Sequence, residues 1–306
     1  MTNQFYKFFI TIFIIVSIFI SIDVIVGRIA PSLLFHIGNV GQLGKTNYAL
    51  YEVDTPILIV GSSRAAHHYD SKIIADSCNM TTYNIGRDGC FFTHNCCLIN
   101  TILDRYTPEL IIWEFGSDYL YDNEDPITSM YPYYKESDYI TKTLNAKVNL
   151  SEQIKLQSSL YRYNSLFIRI AIRLLSRNNS EDKALGYEPL APKELLTPLA
   201  LMNFSQDKLL FNEAKVLQLS NTLEKAKKLG VKIILVTSPL YGTSYNSDAT
   251  EKILSICKAH DANYIDNRAL YIEYPEYFND NTHMNSIGAQ QYTNEMIPII
   301  KQYIND

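Results

Sequence analysis

In Pro56-Ile57-Leu58-Ile59-Val60-Gly61-Ser62-Ser63, four uninterrupted aliphatic residues lie between a proline and a Gly-Ser-Ser turn. A strand with one wet face alternates apolar and polar residues, whereas a strand covered on both faces reads as a short continuous apolar run. The run therefore predicts a central strand of a parallel sheet. Similar runs recur downstream: Thr82-Tyr83-Asn84-Ile85 ends at Gly86, Leu110-Ile111-Ile112-Trp113-Glu114-Phe115 ends at Gly116, and Lys232-Ile233-Ile234-Leu235-Val236-Thr237 ends at Ser238-Pro239. Asn263-Tyr264-Ile265-Asp266 makes a fifth. Helical stretches at about 65–78, 92–106, 211–229, 250–260 and 286–304 fall between and after them, the third closed by Gly230. This alternation implies right-handed crossovers and an α/β sandwich built on a five-stranded parallel sheet with both faces covered. Ligands and reacting groups in such sheets gather at the carboxyl ends of the strands.

Upstream, Phe8 to Val26 reads FFITIFIIVSIFISIDVIV, 19 residues with Asp23 as the only charge. A helix needs roughly 20 apolar residues to cross a bilayer core. A buried core helix, another reading, seldom begins a chain and seldom lacks a polar face. A cleaved signal peptide, the alternative, would carry an apolar region of about 7–15 residues and then a small-residue cleavage site, for which no convincing pattern is present here. Residues 1–27 are read as an N-terminal transmembrane anchor. Lys7 and Arg28 flank it almost symmetrically, so the charge bias is weak. With seven residues ahead of the anchor, the folded body lies C-terminal to it and is expected outside the cytoplasm, periplasmic or on the outer face. Residues 28–54, interrupted by Gly38, Gly41 and Gly44, read as a connector, and 55–306 as one domain. Within it, about 122–205 is polar, Tyr-rich and mostly helical, with an amphipathic stretch from Tyr163 to Leu175, and reads as an insertion capping the active edge of the sheet.

Composition narrows the classes. With 306 residues, 47% hydrophobic and 19% charged, the chain can bury a sizeable core. A net charge of −5 without a long basic run argues against a nucleic-acid partner. The five cysteines form no CxxC pair and have no histidine at ligand spacing, so a zinc site is not expected, and no motif implies an organic cofactor. The 23 tyrosines suit a sugar-handling cleft or ordinary half-buried packing.

Two short stretches carry chemistry. Ser63 follows the first strand and opens a helix, which sets its hydroxyl at the carboxyl edge beside a positive helix N-terminus. A serine there also serves as an ordinary helix cap. Asp280-Asn281-Thr282-His283 precedes the last helix, and its spacing lets the Asp280 carboxylate hold one ring nitrogen of His283 while the other faces a serine. A turn aspartate beside a solvated histidine fits the same residues. Asn84-Ile85-Gly86-Arg87-Asp88-Gly89 and Phe115-Gly116-Ser117-Asp118 come after the second and third strands and offer oxyanion donors. His67 and His68 read as packing or capping residues, Cys90 as a small buried thiol, and Arg64 as the partner of a nearby carboxylate such as Asp88.

This order of motifs resembles the SGNH (GDSL-like) hydrolase superfamily. Gly61-Ser62-Ser63 is similar to its first block, Asn84-x-Gly86-x-x-Gly89 to its second, and Asp280-x-x-His283-x-Asn285-x-x-Gly288-Ala289 to its last. The resemblance covers about 55–120 and 208–304 and implies a flavodoxin-like three-layer sandwich. It also implies a triad of Ser63, Asp280 and His283, with the Gly89 N–H in an oxyanion hole completed by a protonated Asp118, by Ser117 after a loop shift, or by the Ser63 backbone N–H. The third block departs from the family pattern, since Asp118 stands where an asparagine donor is usual, and an ionised carboxylate cannot donate. The anchor, the Gly-Ser-Ser form and the insertion are similar to anchored proteins that transfer acyl groups onto cell-envelope polymers beside a membrane-bound O-acyltransferase, of the D-alanyl-transfer and alginate O-acetylation type. The resemblance thus implies a serine esterase or acyltransferase acting on O-acyl esters of a cell-envelope glycan. A catalytically inactive binding or scaffold protein of such a complex is the alternative.

Overall fold

The computed structural model describes residues 2–35, 41–164, 166–168, 172, 175, 184–193, 210–242 and 247–305. Two compact units divide the chain, residues 1–38 with 128–179 and residues 39–127 with 180–306.

The larger unit holds the sheet. Strands β1 (Ile57–Val60), β2 (Thr82–Asn84), β3 (Leu110–Glu114), β4 (Lys232–Thr237) and β5 (Asn263–Asp266) are all parallel, in the order β2-β1-β3-β4-β5. Every residue of β1, β2 and β3 is buried, as the unbroken apolar runs require, whereas the edge strand β5 is partly exposed. Chain order reverses at β1, which makes the carboxyl ends of β1 and β3 the topological switch point of the sheet.

The helices of this unit are α2 (Gly41–Tyr51), α3 (Ser63–His68), α4 (Ser71–Cys78), α5 (Phe92–Ile102), α9 (Glu213–Lys228), α10 (Ser247–Ala259) and α11 (Ser286–Asn305). They cover both faces of the sheet. On one, Ile57, Ile59, Leu110, Ile112, Ile234 and Val236 meet Tyr69, Ile74, Tyr292, Met296 and Ile300. On the other, Trp113 of β3 stacks on Phe92 of α5 at 6.1 Å and 7°. The smaller unit carries α1 (Thr2–Phe35), a 3₁₀ turn (Thr128–Tyr133), α6 (Asp138–Lys147), α7 (Leu150–Lys155) and α8 (Ser159–Tyr163). Gln4–Leu34 of α1 is long and apolar enough to span a membrane.

Two local features differ from the sequence expectation. The expected connector 28–54 holds the end of α1 and all of α2, whose Gly44, Lys45, Thr46, Asn47, Ala49 and Leu50 are buried. Burial of that face outweighs the helix penalty of its glycines. The helical stretch 65–78 begins at Ser63 and is broken at Tyr69, which is extended, so that Asp70 caps α4 by accepting from Lys72 and Ile73 N–H, and Asn79 ends it in the left-handed region. Much of the amphipathic stretch and of the insertion, including 169–171, 176–183 and 194–209, lies outside the described residues.

The cap supplies a simple check on this local order. Asp70→Ala is expected to cost about 1 kcal/mol. A lower thermal midpoint of the detergent-solubilised chain would register it, and Asp70→Asn, which still accepts, would recover most of the loss.

Candidate active site

Ser63 is the first residue of α3, directly beyond β1. The turn between them needs Gly61, which has φ +154; a Cβ there would stand 2.7 Å from the Cβ atoms of both Ala65 and Glu114. Ser62 at the N-cap makes no side-chain cap hydrogen bond, so its side chain does not occupy the first N–H groups of the helix.

His283 comes from the loop ahead of α11. That loop is closed by a bridge between Phe278 and Met284 and by Asn279 N–H donating to the His283 carbonyl at 2.9 Å. Asp280 turns back within it: Oδ1 accepts from the backbone N–H of Thr282 and of His283, each at 2.8 Å. The same carboxylate lies 2.9 Å and 3.0 Å from His283 Nδ1. A carboxylate only accepts, so Nδ1 carries a proton, and in the neutral ring Nε2 is the nitrogen that accepts. Nε2 lies 2.8 Å from Ser63 Oγ. Burial works to raise the Asp280 pKa, but the bonds from His283 and Thr282 prevail and hold it below the ordinary carboxylate range. Ser63, Asp280 and His283, nominated separately from two ends of the sequence, thus form one hydrogen-bonded chain at the carboxyl edge of the sheet.

The candidate oxyanion residues sit on the neighbouring turns. Arg87 to Cys90 is a turn closed by Cys90 N–H donating to Arg87 C=O at 3.2 Å, and Gly89 takes φ +66 with open space where a Cβ would stand. Gly86 is committed elsewhere: its N–H donates to Asn84 Oδ1 at 2.9 Å, while Asn84 Nδ2 donates to the Ala65 and Tyr69 carbonyls and ties β2 to α3. Asp118 is exposed in the turn after β3, and its charge is felt by Arg64.

Beneath the triad lies a polar network that no sequence motif announces. Glu114, at the end of β3 and wholly buried, accepts from Arg64 Nη2 at 3.1 Å, from Tyr69 O–H at 2.5 Å and from Ser238 N–H at 3.2 Å. Burial raises the Glu114 carboxyl above its ordinary range while Arg64, Tyr69 and Ser238 pull the other way, and that set of donors suits the carboxylate. Arg64 therefore pairs with Glu114, not with Asp88 as expected; only the strand end brings a carboxylate under the helix start. His68 does more than pack. Its Nε2 accepts from Met284 N–H at 3.0 Å, which leaves Nδ1 to donate to Ser238 Oγ at 2.8 Å. Burial, with the Arg64 charge next, drives its pKa well below 6.5, so the ring is a neutral strut behind His283.

His67, for which no charged partner is visible in sequence, has a carboxylate on one side and a backbone carbonyl on the other. Its Nδ1 meets the Glu188 carbonyl at 2.6 Å and its Nε2 meets Asp88 Oδ1 at 3.1 Å, an arrangement a protonated ring satisfies. Burial opposes that charge, but Asp88 and Glu188 outweigh it and the pKa is raised. The Glu188 carboxylate meets Lys45 Nζ at 2.8 Å and Gln42 Nε2 at 2.9 Å, and Gln42 Oε1 accepts from Asp88 N–H at 2.8 Å. Helix α2 and residue 188 thereby clamp the turn that carries Gly89. His67, Asp88 and Glu188 lie close enough together to hold a metal ion, yet the Lys45 ammonium already neutralises Glu188, so the group is an ion-pair network.

Both networks have measurable consequences. Glu114→Ala strands the buried Arg64 guanidinium and is expected to cost roughly 3–5 kcal/mol, read as a lower denaturant midpoint. A raised folded-state pKa means that the His67 contribution is complete below its unfolded value and fades as pH climbs through the folded one. Asp88, lowered chiefly by its bond to His67, loses its contribution as pH falls through its own pKa. Wild type is therefore expected to exceed His67→Gln in melting temperature by most at mildly acidic pH, with the margin shrinking on the alkaline side.

No family model and no curated protein matches the chain. Among solved structures, one titled as a family two carbohydrate esterase from Cellvibrio japonicus is similar at a TM-score of 0.32 and 11% identity, covering 81% of this chain; the chain spans 61% of that esterase.

Proposed function

We propose that the chain is a membrane-anchored serine esterase or acyltransferase of the SGNH type, acting on O-acyl esters of a cell-envelope polysaccharide from outside the cytoplasm. The observation that carries the reading is the run Asp280–His283–Ser63, with 2.9 Å and 2.8 Å between successive partners. Ser63 Oγ attacks the acyl carbonyl as His283 Nε2 takes its proton. The backbone N–H groups of Ser63 and Gly89 meet the oxyanion. His283 then returns the proton to the departing alkoxide, which leaves an acyl-serine. Water or a sugar hydroxyl, deprotonated by the same Nε2, takes the acyl group and frees Ser63. A membrane-bound O-acyltransferase is the partner that would supply or receive acyl groups at such a site.

The second reading is a catalytically inactive SGNH-like binding or scaffold protein of an O-acyltransferase complex. Asp118 favours it, because a carboxylate at the place of an asparagine removes a donor from the oxyanion site, and one such donor contributes about 10²–10³ in rate. A fluorophosphonate probe separates the two, since it modifies a serine only where a working base activates it. Labelling of wild type, reduced by about 10³ or more in Ser63→Ala and in His283→Ala, is the expected result. Folded wild type that neither labels nor hydrolyses p-nitrophenyl acetate would overturn the enzyme reading and leave the scaffold.

A further inference from the structure

The smaller unit exposes apolar residues in two places besides α1. In α7, where no residue is buried, Leu150 and Ile154 are 70% and 63% exposed. Beyond α8, Ile168, Ile172 and Leu175 are 72%, 62% and 83% exposed. Both sets have the spacing of one helix face, i and i+4 in the first and i, i+4, i+7 in the second.

Helix α1 packs on α8, which lies between those two stretches in the chain. From Gln4 to Ile22 its residues are exposed apart from a partly covered Ser17, and 19 residues at 1.5 Å give about 28 Å, one hydrocarbon core. The next residue is Asp23. Its carboxylate accepts from Ser158 O–H at 2.6 Å and from Leu160 N–H at 2.8 Å, capping α8. One turn on, Gly27 lies so close to Ser159 that a Cβ would stand 2.5 Å from its hydroxyl. The lipid-length part of α1 thus ends where residues 158–160 are fastened to it, and α7 and the 166–175 stretch flank that junction in the chain. Charge agrees: 150–177 holds Lys155, Arg162, Arg169, Arg173 and Arg177 against Glu152 as its one acidic residue, in a chain of net charge −5. A basic, amphipathic sequence fastened at 158–160 to a helix of spanning length has the chemistry of a segment lying in a bilayer interface.

We propose that Leu150, Ile154, Ile168, Ile172 and Leu175 are immersed in the surface of the bilayer that α1 crosses. The proposal requires the anchor but not the esterase chemistry. The test uses the full chain in vesicles of phosphatidylcholine and phosphatidylglycerol, without bromine or with bromine placed on the acyl chains either near the headgroup or near the chain end. Tryptophan is introduced singly as Ile154→Trp, Ile172→Trp, Phe13→Trp and Leu217→Trp; native Trp113, fully buried, gives a constant background. Phe13 reports whether α1 is in lipid, and Leu217, 61% exposed on α9 of the other unit, serves as the control outside it. The expected result is a blue shift and bromine-dependent loss of the added emission at 13, 154 and 172, and none at 217. Quenching at 13 with 154 or 172 behaving as 217 overturns the proposal while leaving the anchor standing, and a cross-link between copies at those positions would assign the face to a protein partner. Absence of quenching at 13 overturns the anchor and the proposal together.

Discussion

A single buried carboxylate organises the centre of the larger unit. Glu114 ends β3 with no access to water, so its charge is tolerable only while Arg64, Tyr69 and Ser238 all donate to it. Those partners come from both ends of α3 and from the end of β4. Holding them fixes the start of the helix that presents Ser63, and through Ser238 and His68 it fixes the backbone beside His283. Replacing the cluster with apolar groups could leave the core as stable, but it would lose the directionality that hydrogen bonds impose on the residues above it. The triad is thus a surface feature whose geometry is set one layer down.

The second network acts sideways. Lys45 and Gln42 of α2, Glu188, His67 and Asp88 surround the turn of Gly89, whose left-handed backbone would otherwise be among the most mobile parts of the edge. A donor N–H helps a developing oxyanion only if it is already aimed, because reorganising it during reaction returns the advantage to water. A salt-bridged clamp outside the reacting groups is one way of keeping a glycine turn aimed.

Sequence distance decides which of these features are legible in the chain alone. Strands buried on both faces announce themselves as apolar runs, and their alternation with helices is enough to imply the sheet. Asp280 and His283 are three residues apart and Ser63 ends a strand, so each motif is local. Glu114 and Arg64, His68 and Ser238, or Lys45 and Glu188 are each brought together only by the folded sheet, and no spacing advertises them. Helix α2 is hidden for the opposite reason: its glycines lower local propensity, and tertiary burial overrides it. His67 reads as a packing residue because its partners, Asp88 and the Glu188 carbonyl, lie on two other segments.

The exposure of the triad's outer members has a further meaning. The Asp280 side chain is 52% exposed and that of His283 27%, so the imidazole faces solvent as well as Ser63. In such a setting the fate of an acyl-serine is a competition between ever-present water and a scarcer alcohol. Transfer can dominate only where the acceptor is concentrated locally or where its arrival displaces water from His283. Under the proposed chemistry such exposure makes hydrolysis the default, and any synthetic outcome has to be imposed by what is bound beside the serine.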